Sequence, residues 1–192
     1  MTHSAIPVTV LVVAKAPVPG LAKTRLAATL GDELAADIAA AALLDTLDAV
    51  AQTPVSERVV AMTGDLDRAC RGAEIRERLG SFTVIGQRGE EFADRLANAH
   101  ADAAVPGQPV LQIGMDTPQV SAELLTDCAR TLLTTPALLG MARRRMVGAR
   151  GGRPGDRRVP ARRADVAGRH RRCNACRSAW HRDQCETRRG TA

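Results

Sequence analysis

Apolar and polar positions alternate between two periods along the first three quarters of the chain, and each change of period marks an element. The run "VTVLVVAK" ending at Lys15 is continuously apolar and β-branched, the signature of a strand covered on both faces in a parallel sheet, so it is expected at the centre. Behind Asp32 and Glu33, acids that suit a helix N-terminus, "GDELAADIAAAALLDTLDAVAQ" places Leu34, Ile38, Ala41, Ala42 and Leu47 at helical spacing. A long helix is predicted there, buried through that face. "ERVVAM" to Met62 and "FTVIG" to Gly86 read as further strands, with a helix from Asp67 to Leu79 between them. "EEFADRLANAHADAA" is an amphipathic helix, "PVLQIG" to Gly114 a fourth strand, and Ser121 to Leu133 a helix with Ser121 as its N-cap. Four alternations of strand and helix predict an α/β domain, mostly a parallel sheet with helices on both faces.

The pattern stops near Gly140. From Ala142 onward the chain contains no Leu, Ile or Phe, too little apolar surface for a periodic face. Charge divides at the same place: residues 1–142 hold 11 Lys and Arg against 17 Asp and Glu, net −6, whereas residues 143–192 hold 16 Arg against 4 acids, net +12. The overall charge of +6 therefore describes the tail and gives no ground for reading the whole protein as nucleic-acid-binding. Two regions are expected, a domain over 1–142 and an Arg-rich tail over 143–192 without packed structure. No apolar run approaches the roughly 20 residues of a membrane span, and the N-terminus lacks the layout of a signal peptide, so a cytoplasmic protein is expected.

Two segments carry candidate chemistry. In parallel α/β sheets, ligands bind beyond the carboxyl ends of the strands. The first segment is "KAPVPGLAKTRL": Pro17 and Pro19 fix φ angles, Gly20 lets backbone approach a ligand, and Lys15, Lys23 and Arg25 bring three cations. Such a loop suits a phosphate or diphosphate; a solvated basic loop is the alternative. Neither GxxxxGK[ST] nor GxGxxG is present. The second is "LQIGMDTPQVSAELL", where Asp116 follows a strand and precedes a turn proline. A carboxylate there either holds Mg²⁺ or Mn²⁺ against a diphosphate or caps the turn before Pro118.

Taken with "GQRGEEFADRLANAHADA", these segments resemble, in order and spacing, a bacterial GT-A-like glycosyltransferase family related to the nucleotide-diphospho-sugar transferases, over roughly residues 7 to 142. The resemblance implies a Rossmann-like GT-A fold, truncated at its C-terminal side, in which Lys15, Pro17, Gly20, Lys23 and Arg25 meet the nucleotide diphosphate and Asp116 holds Mg²⁺ or Mn²⁺. It implies metal-dependent transfer from a nucleotide-activated donor, a nucleotide sugar, to an acceptor. Gly89 and Arg95 match the middle motif without a definite role. The related 2-phospholactate guanylyltransferase also carries an "AKTRLA"-like stretch, and nucleotidyl transfer is the alternative chemistry.

Beyond Ala142 the family's Asp-Gly-Gly-Trp-Trp strand and Val-Pro-Met-Ser loop are missing. Suitable codons for Arg143 to Gly151, with one base dropped, spell Glu-Asp-Gly-Trp-Trp-Ala-Leu-Gly. The tail is therefore expected to be read out of frame, with turnover impaired, the last strand lost, and self-association through an exposed sheet edge. An undisturbed frame in the resequenced gene would remove that expectation. The competing readings of the tail are a zinc site among His170, Cys173, Cys176, His181 and Cys185, and an arginine arm adhering to nucleic acid by charge alone.

Overall fold

The apolar run ahead of the cationic loop forms strand β1 (Ile6–Lys15). It pairs in parallel with β2 (Val55–Thr63) on one side and β4 (Val110–Gly114) on the other. Being paired at both edges and covered on both faces explains its unbroken apolar character: Val8, Val10, Leu11 and Val12 are all fully buried. The computed structural model describes residues 4–141 and 146–150. The chain divides into units of residues 1–154 and 155–192, and all described residues belong to the first.

The remaining elements are α1 (Thr24–Leu30), α2 (Asp32–Ala51), α3 (Gly72–Leu79), β3 (Thr83–Gly86), α4 (Phe92–Asp102), α5 (Ala122–Leu132), β5 (Ala137–Met141) and β6 (Met146–Arg150). The sheet runs β3-β2-β1-β4-β6-β5. Its first four strands are mutually parallel, and β6 is antiparallel to both β4 and β5. Side chains alternate across the sheet, so β1 serves two cores. On one face Leu11, Val59, Ala61 and Val110 pack with Ala99 and Ala103 of the α4 region. On the other, α2 and α5 touch each other and β1. This is the α/β fold that the alternation predicted.

Two local expectations are corrected. The long helix exists but buries another face: Leu34 and Ile38 are 49% and 39% exposed, Ala41 and Ala42 are half-buried, and of the expected face only Leu47 is fully buried. The buried stripe is instead Ala35, Ala36, Ala39, Ala40, Leu43, Leu47 and Val50. Alanines need little room between a helix and a sheet, so a stripe that adds Leu43, Leu47 and Val50 to them packs there while larger side chains stay outside. The helix expected from Asp67 begins only at Gly72. Asp65 accepts the Asp67 amide at 2.8 Å, and the chain then turns through Arg71 at φ 53°, which delays helical geometry by a turn. Residues 146–150 form β6, which pairs with β4 and β5, so β4 is not a sheet edge. Of the tail over 143–192 that is expected to be out of frame, only residues 146–150 are described; the zinc ligands and nearly all of the arginine arm lie outside the described residues.

Candidate active site at the strand switch point

From β1 the chain moves outward through β2 and β3, then crosses back to place β4 on the other side of β1. The strand order reverses between β1 and β4, where an open α/β sheet leaves a crevice beyond its carboxyl ends. The loop after β1 and the turn after β4 both emerge there.

The β1 loop is tied down at several points. Ala16 N donates to Thr63 O at 2.8 Å, Leu21 N and Ala22 N each donate to Val18 O at 3.0 Å, and Cys70 N donates to Pro17 O at 3.0 Å. Pro17 and Val18 are buried, so Pro17 anchors the loop against the segment after β2 rather than facing solvent. Gly20, at φ 75°, is exposed at the turn, where a side chain would be strained. Lys15 Nζ donates to Leu21 O at 2.9 Å, and its backbone amide lies 3.1 Å from Met115 Sδ. Lys15 thus spends its charge closing the loop on itself. The loop ends at Lys23, a left-handed residue at φ 48° whose carbonyl accepts from Leu26 N at 2.8 Å and Ala27 N at 3.0 Å to start α1.

The β4 turn is equally defined. Met115 N donates to Val13 O at 3.1 Å, extending the parallel ladder by one residue. Thr117 Oγ1 donates to Gly114 O at 2.7 Å, and Val120 N donates to Thr117 O at 3.0 Å. Ser121 caps α5 by accepting the Leu124 amide at 3.2 Å, as its position in the sequence predicted. The backbone amide of Glu123 and the Ser121 hydroxyl hold the Glu123 carboxyl below its ordinary range. Asp116 is thereby presented from a short, hydrogen-bonded turn. A Cβ on Gly114 would lie 3.3 Å from Asp116 Oδ1, so glycine leaves that oxygen its room.

Across the crevice, Lys23 Nζ meets Asp116 Oδ2 at 2.5 Å. The two side chains are 33% and 55% exposed, which makes this a solvent-screened pair. Arg25, on the first turn of α1, is exposed and has no hydrogen-bond or ion-pair partner among the described residues. Of the residues proposed from sequence, Lys23 and Asp116 are in direct contact, Gly20 and Arg25 lie exposed on the same loop and its helix, and Lys15 and Pro17 are occupied within the loop.

Asp116 is a hard oxygen donor reachable from solvent. Mg²⁺ takes one or two carboxylates and completes its shell with waters and phosphates, so one exposed carboxylate facing a cationic loop fits its donor chemistry. Among the described residues no three His, Cys, Asp or Glu side chains gather as a metal cage.

The middle motif sits to one side. Gly89, at φ 120°, packs so tightly on the start of α4 that a Cβ would come within 2.8 Å of Asp94 Cβ. Arg95 Nη1 donates to Glu90 O at 3.0 Å. Two residues that the sequence reading passed over do more positioning. Gln87 Nε2 donates to Ala14 O at 2.7 Å and Ala61 O at 2.8 Å, stitching β3 back to β1 and β2. The fully buried Thr46 has its Oγ1 2.8 Å from Ala42 O and 3.2 Å from Met115 O, linking α2 to the turn that carries Asp116. The polar residue inside an otherwise apolar helical stripe was the available signal for Thr46.

A family model described as "Uncharacterized protein conserved in bacteria (DUF2064)" matches residues 46–144, a span that contains Asp116 but not the cationic loop. No curated protein matches the chain. Among solved structures, a protein from Desulfovibrio desulfuricans G20, described as "putative nucleotide-diphospho-sugar transferase", is 25% identical with a TM-score of 0.64, over 75% of this chain and 63% of its own. Rv0371c from Mycobacterium tuberculosis H37Rv is 18% identical with a TM-score of 0.47, over 69% of this chain and 64% of its own. A nucleotidyl transferase from Methanothermobacter thermautotroptrophicus (Mth528) is 22% identical with a TM-score of 0.42, over 64% of this chain and 57% of its own. Of these three, the first has a score that shows the shared α/β fold, and the chain spans under two thirds of the length of each. No helix among the described residues is long and apolar enough to cross a membrane.

Proposed function

We propose a function for this chain, which belongs to the DUF2064 family of bacterial proteins: binding of a nucleoside diphosphate group with Mg²⁺ or Mn²⁺ for transfer from a nucleotide-activated donor, a nucleotide sugar, to an acceptor. The observation that carries the reading is the meeting of Lys23 and Asp116 at the strand switch point. An acid and a base from distant segments converge where this class of sheet takes its ligands, and the fold is shared with a protein described as a nucleotide-diphospho-sugar transferase.

In this reading the exposed guanidinium of Arg25 and the ammonium of Lys23 face the phosphates. Gly20, without a side chain, lets the loop backbone come close to them. Lys15 and Pro17 act indirectly by holding the loop's shape. Asp116 is the residue that would hold the divalent cation, whose chemistry is to neutralise the charge that builds on a departing diphosphate. A loop backbone held by hydrogen bonds keeps both cations near the phosphates while that charge develops.

The test is thermal unfolding of the full chain with UDP, GDP, ADP and CDP, each with Mg²⁺ or Mn²⁺. Binding at 100 times the dissociation constant stabilises by about 2.7 kcal/mol, a shift of roughly 5 to 10 °C for a chain of this size. Asp116→Ala is expected to abolish the metal-dependent part of that shift. The reading fails if no nucleotide of the panel raises the melting temperature with either metal, or if Asp116→Ala keeps the full effect.

A further inference from the structure

We infer that Lys23 stands in for the divalent cation at Asp116 until the ligands arrive, so that metal and nucleotide bind as a coupled pair; this rests on the function proposed above. Of the three cations on the loop, Lys15 is engaged with Leu21 O and Arg25 has no partner among the described residues. Lys23 is the one neutralised by an acid, and the acid is the proposed metal ligand. Its ammonium lies 2.5 Å from Asp116 Oδ2, so a dication on the same oxygen would face a positive charge at contact distance. On that oxygen the two exclude each other, and a metal that uses Oδ2 must expel the ammonium.

The construction of the loop suits that exchange. The backbone of Lys23 is held in its left-handed conformation by the amides of Leu26 and Ala27, whereas the ammonium rides on a flexible four-carbon stem. The pair is partly exposed on both sides, hence screened and readily broken. Once released, the ammonium lies in the same crevice as Arg25's loop and lacks a counter-charge, which nucleotide phosphates supply. Phosphates that draw Lys23 away equally free Asp116 for the metal. Each ligand therefore favours the state that the other needs, and by linkage the enhancement is reciprocal. Without nucleotide, Lys23 keeps Asp116 occupied and its affinity for free metal low.

The experiment titrates Mn²⁺ into the full chain by electron paramagnetic resonance, without nucleotide and with the diphosphate that gives the largest thermal shift, in wild type, Lys23→Gln, Lys23→Asn and Lys23→Gln/Asp116→Asn. Asn tolerates the left-handed backbone at that position, so it covers the case in which Gln unfolds the loop. Nucleotide-free Mn²⁺ affinity is expected to rise about fivefold or more in Lys23→Gln and Lys23→Asn, the lower range of allosteric coupling, and to fall back when Asp116→Asn is added. The factor by which nucleotide enhances Mn²⁺ binding is expected to shrink in both single variants. Equal nucleotide-free Mn²⁺ affinity in wild type and both Lys23 variants overturns the inference, and nucleotide binding by the wild type then leaves the proposed function standing. A gain of Mn²⁺ affinity that depends on Asp116, in a protein that binds no nucleotide, supports the exclusion by Lys23 and removes the nucleotide from it.

Discussion

Lys23 and Asp116 are 93 residues apart in the chain, and their charged atoms meet at 2.5 Å above the gap between β1 and β4. The contact joins the loop of one strand to the turn of its neighbour at the place where strand order reverses. Neither residue is buried, so the pair contributes at most about 1 kcal/mol to folding. Its value lies in where it puts two opposite charges rather than in what it adds to stability.

Arg25 is the cation on this loop that no described residue neutralises. Arg25→Ala is expected to leave the melting temperature of the ligand-free protein nearly unchanged, within about 0.5 kcal/mol of stability as for other surface positions. It should weaken diphosphate binding by roughly tenfold, in line with the loss of one charge-assisted hydrogen bond. Calorimetric titration checks both halves; unchanged affinity would take Arg25 out of the site.

The buried face of α2 gives a contrast within one helix. Leu47, fully buried, is expected to cost about 2 to 5 kcal/mol when cut to Ala. Ile38, 39% exposed, should cost clearly less under the same truncation, because less of it is packed and solvent fills the space left. Denaturant unfolding of the two variants compares them directly. Similar losses at both positions would mean that the helix is rotated from the orientation described.

Gly89 combines a φ of 120° with a backbone too close to Asp94 and Arg95 for a Cβ. Gly89→Ala is expected to destabilise by about 1 to 3 kcal/mol through strain, concentrated at the start of α4. Hydrogen exchange of amides 92–96 is the measurement, and protection equal to wild type would show that the loop relaxes without cost.

Acid dependence centres on Arg88 and Asp102. Arg88 Nη2 lies 2.6 Å from Asp102 Oδ1 and Nε 3.0 Å from Oδ2. These hydrogen bonds, with the guanidinium charge, hold the Asp102 carboxyl below its ordinary 3.8. A carboxyl lowered in the folded state contributes stability that is present above its unfolded pKa and lost as pH falls through the folded value. Wild type and Asp102→Asn should therefore differ most above about pH 4 and converge below it. Melting curves from pH 2.5 to 6 check the sign; a gap that widens on acidification contradicts it.

Hydrophobic periodicity was enough to read the alternation of strands and helices, the central place of β1 and the cap at Ser121, because those follow from local chemistry: β-branched runs, helical spacing, a hydroxyl ahead of an apolar stripe. The residue types at Lys23, Arg25 and Asp116 were equally legible as candidates. Other features depended on partners distant in the chain. Which face of α2 is buried was decided by how closely an alanine stripe fits the sheet. Helix α1 begins where Lys23 adopts a left-handed conformation. Residues 146–150 pair with β4 as well as with the neighbouring β5. That Lys15 closes its own loop while Lys23 crosses to Asp116 was likewise a tertiary outcome, since residue type gives both the same charge. Composition and spacing determine which elements form and which charges are available; only the packed sheet, by setting strand order, decides which of those charges meet.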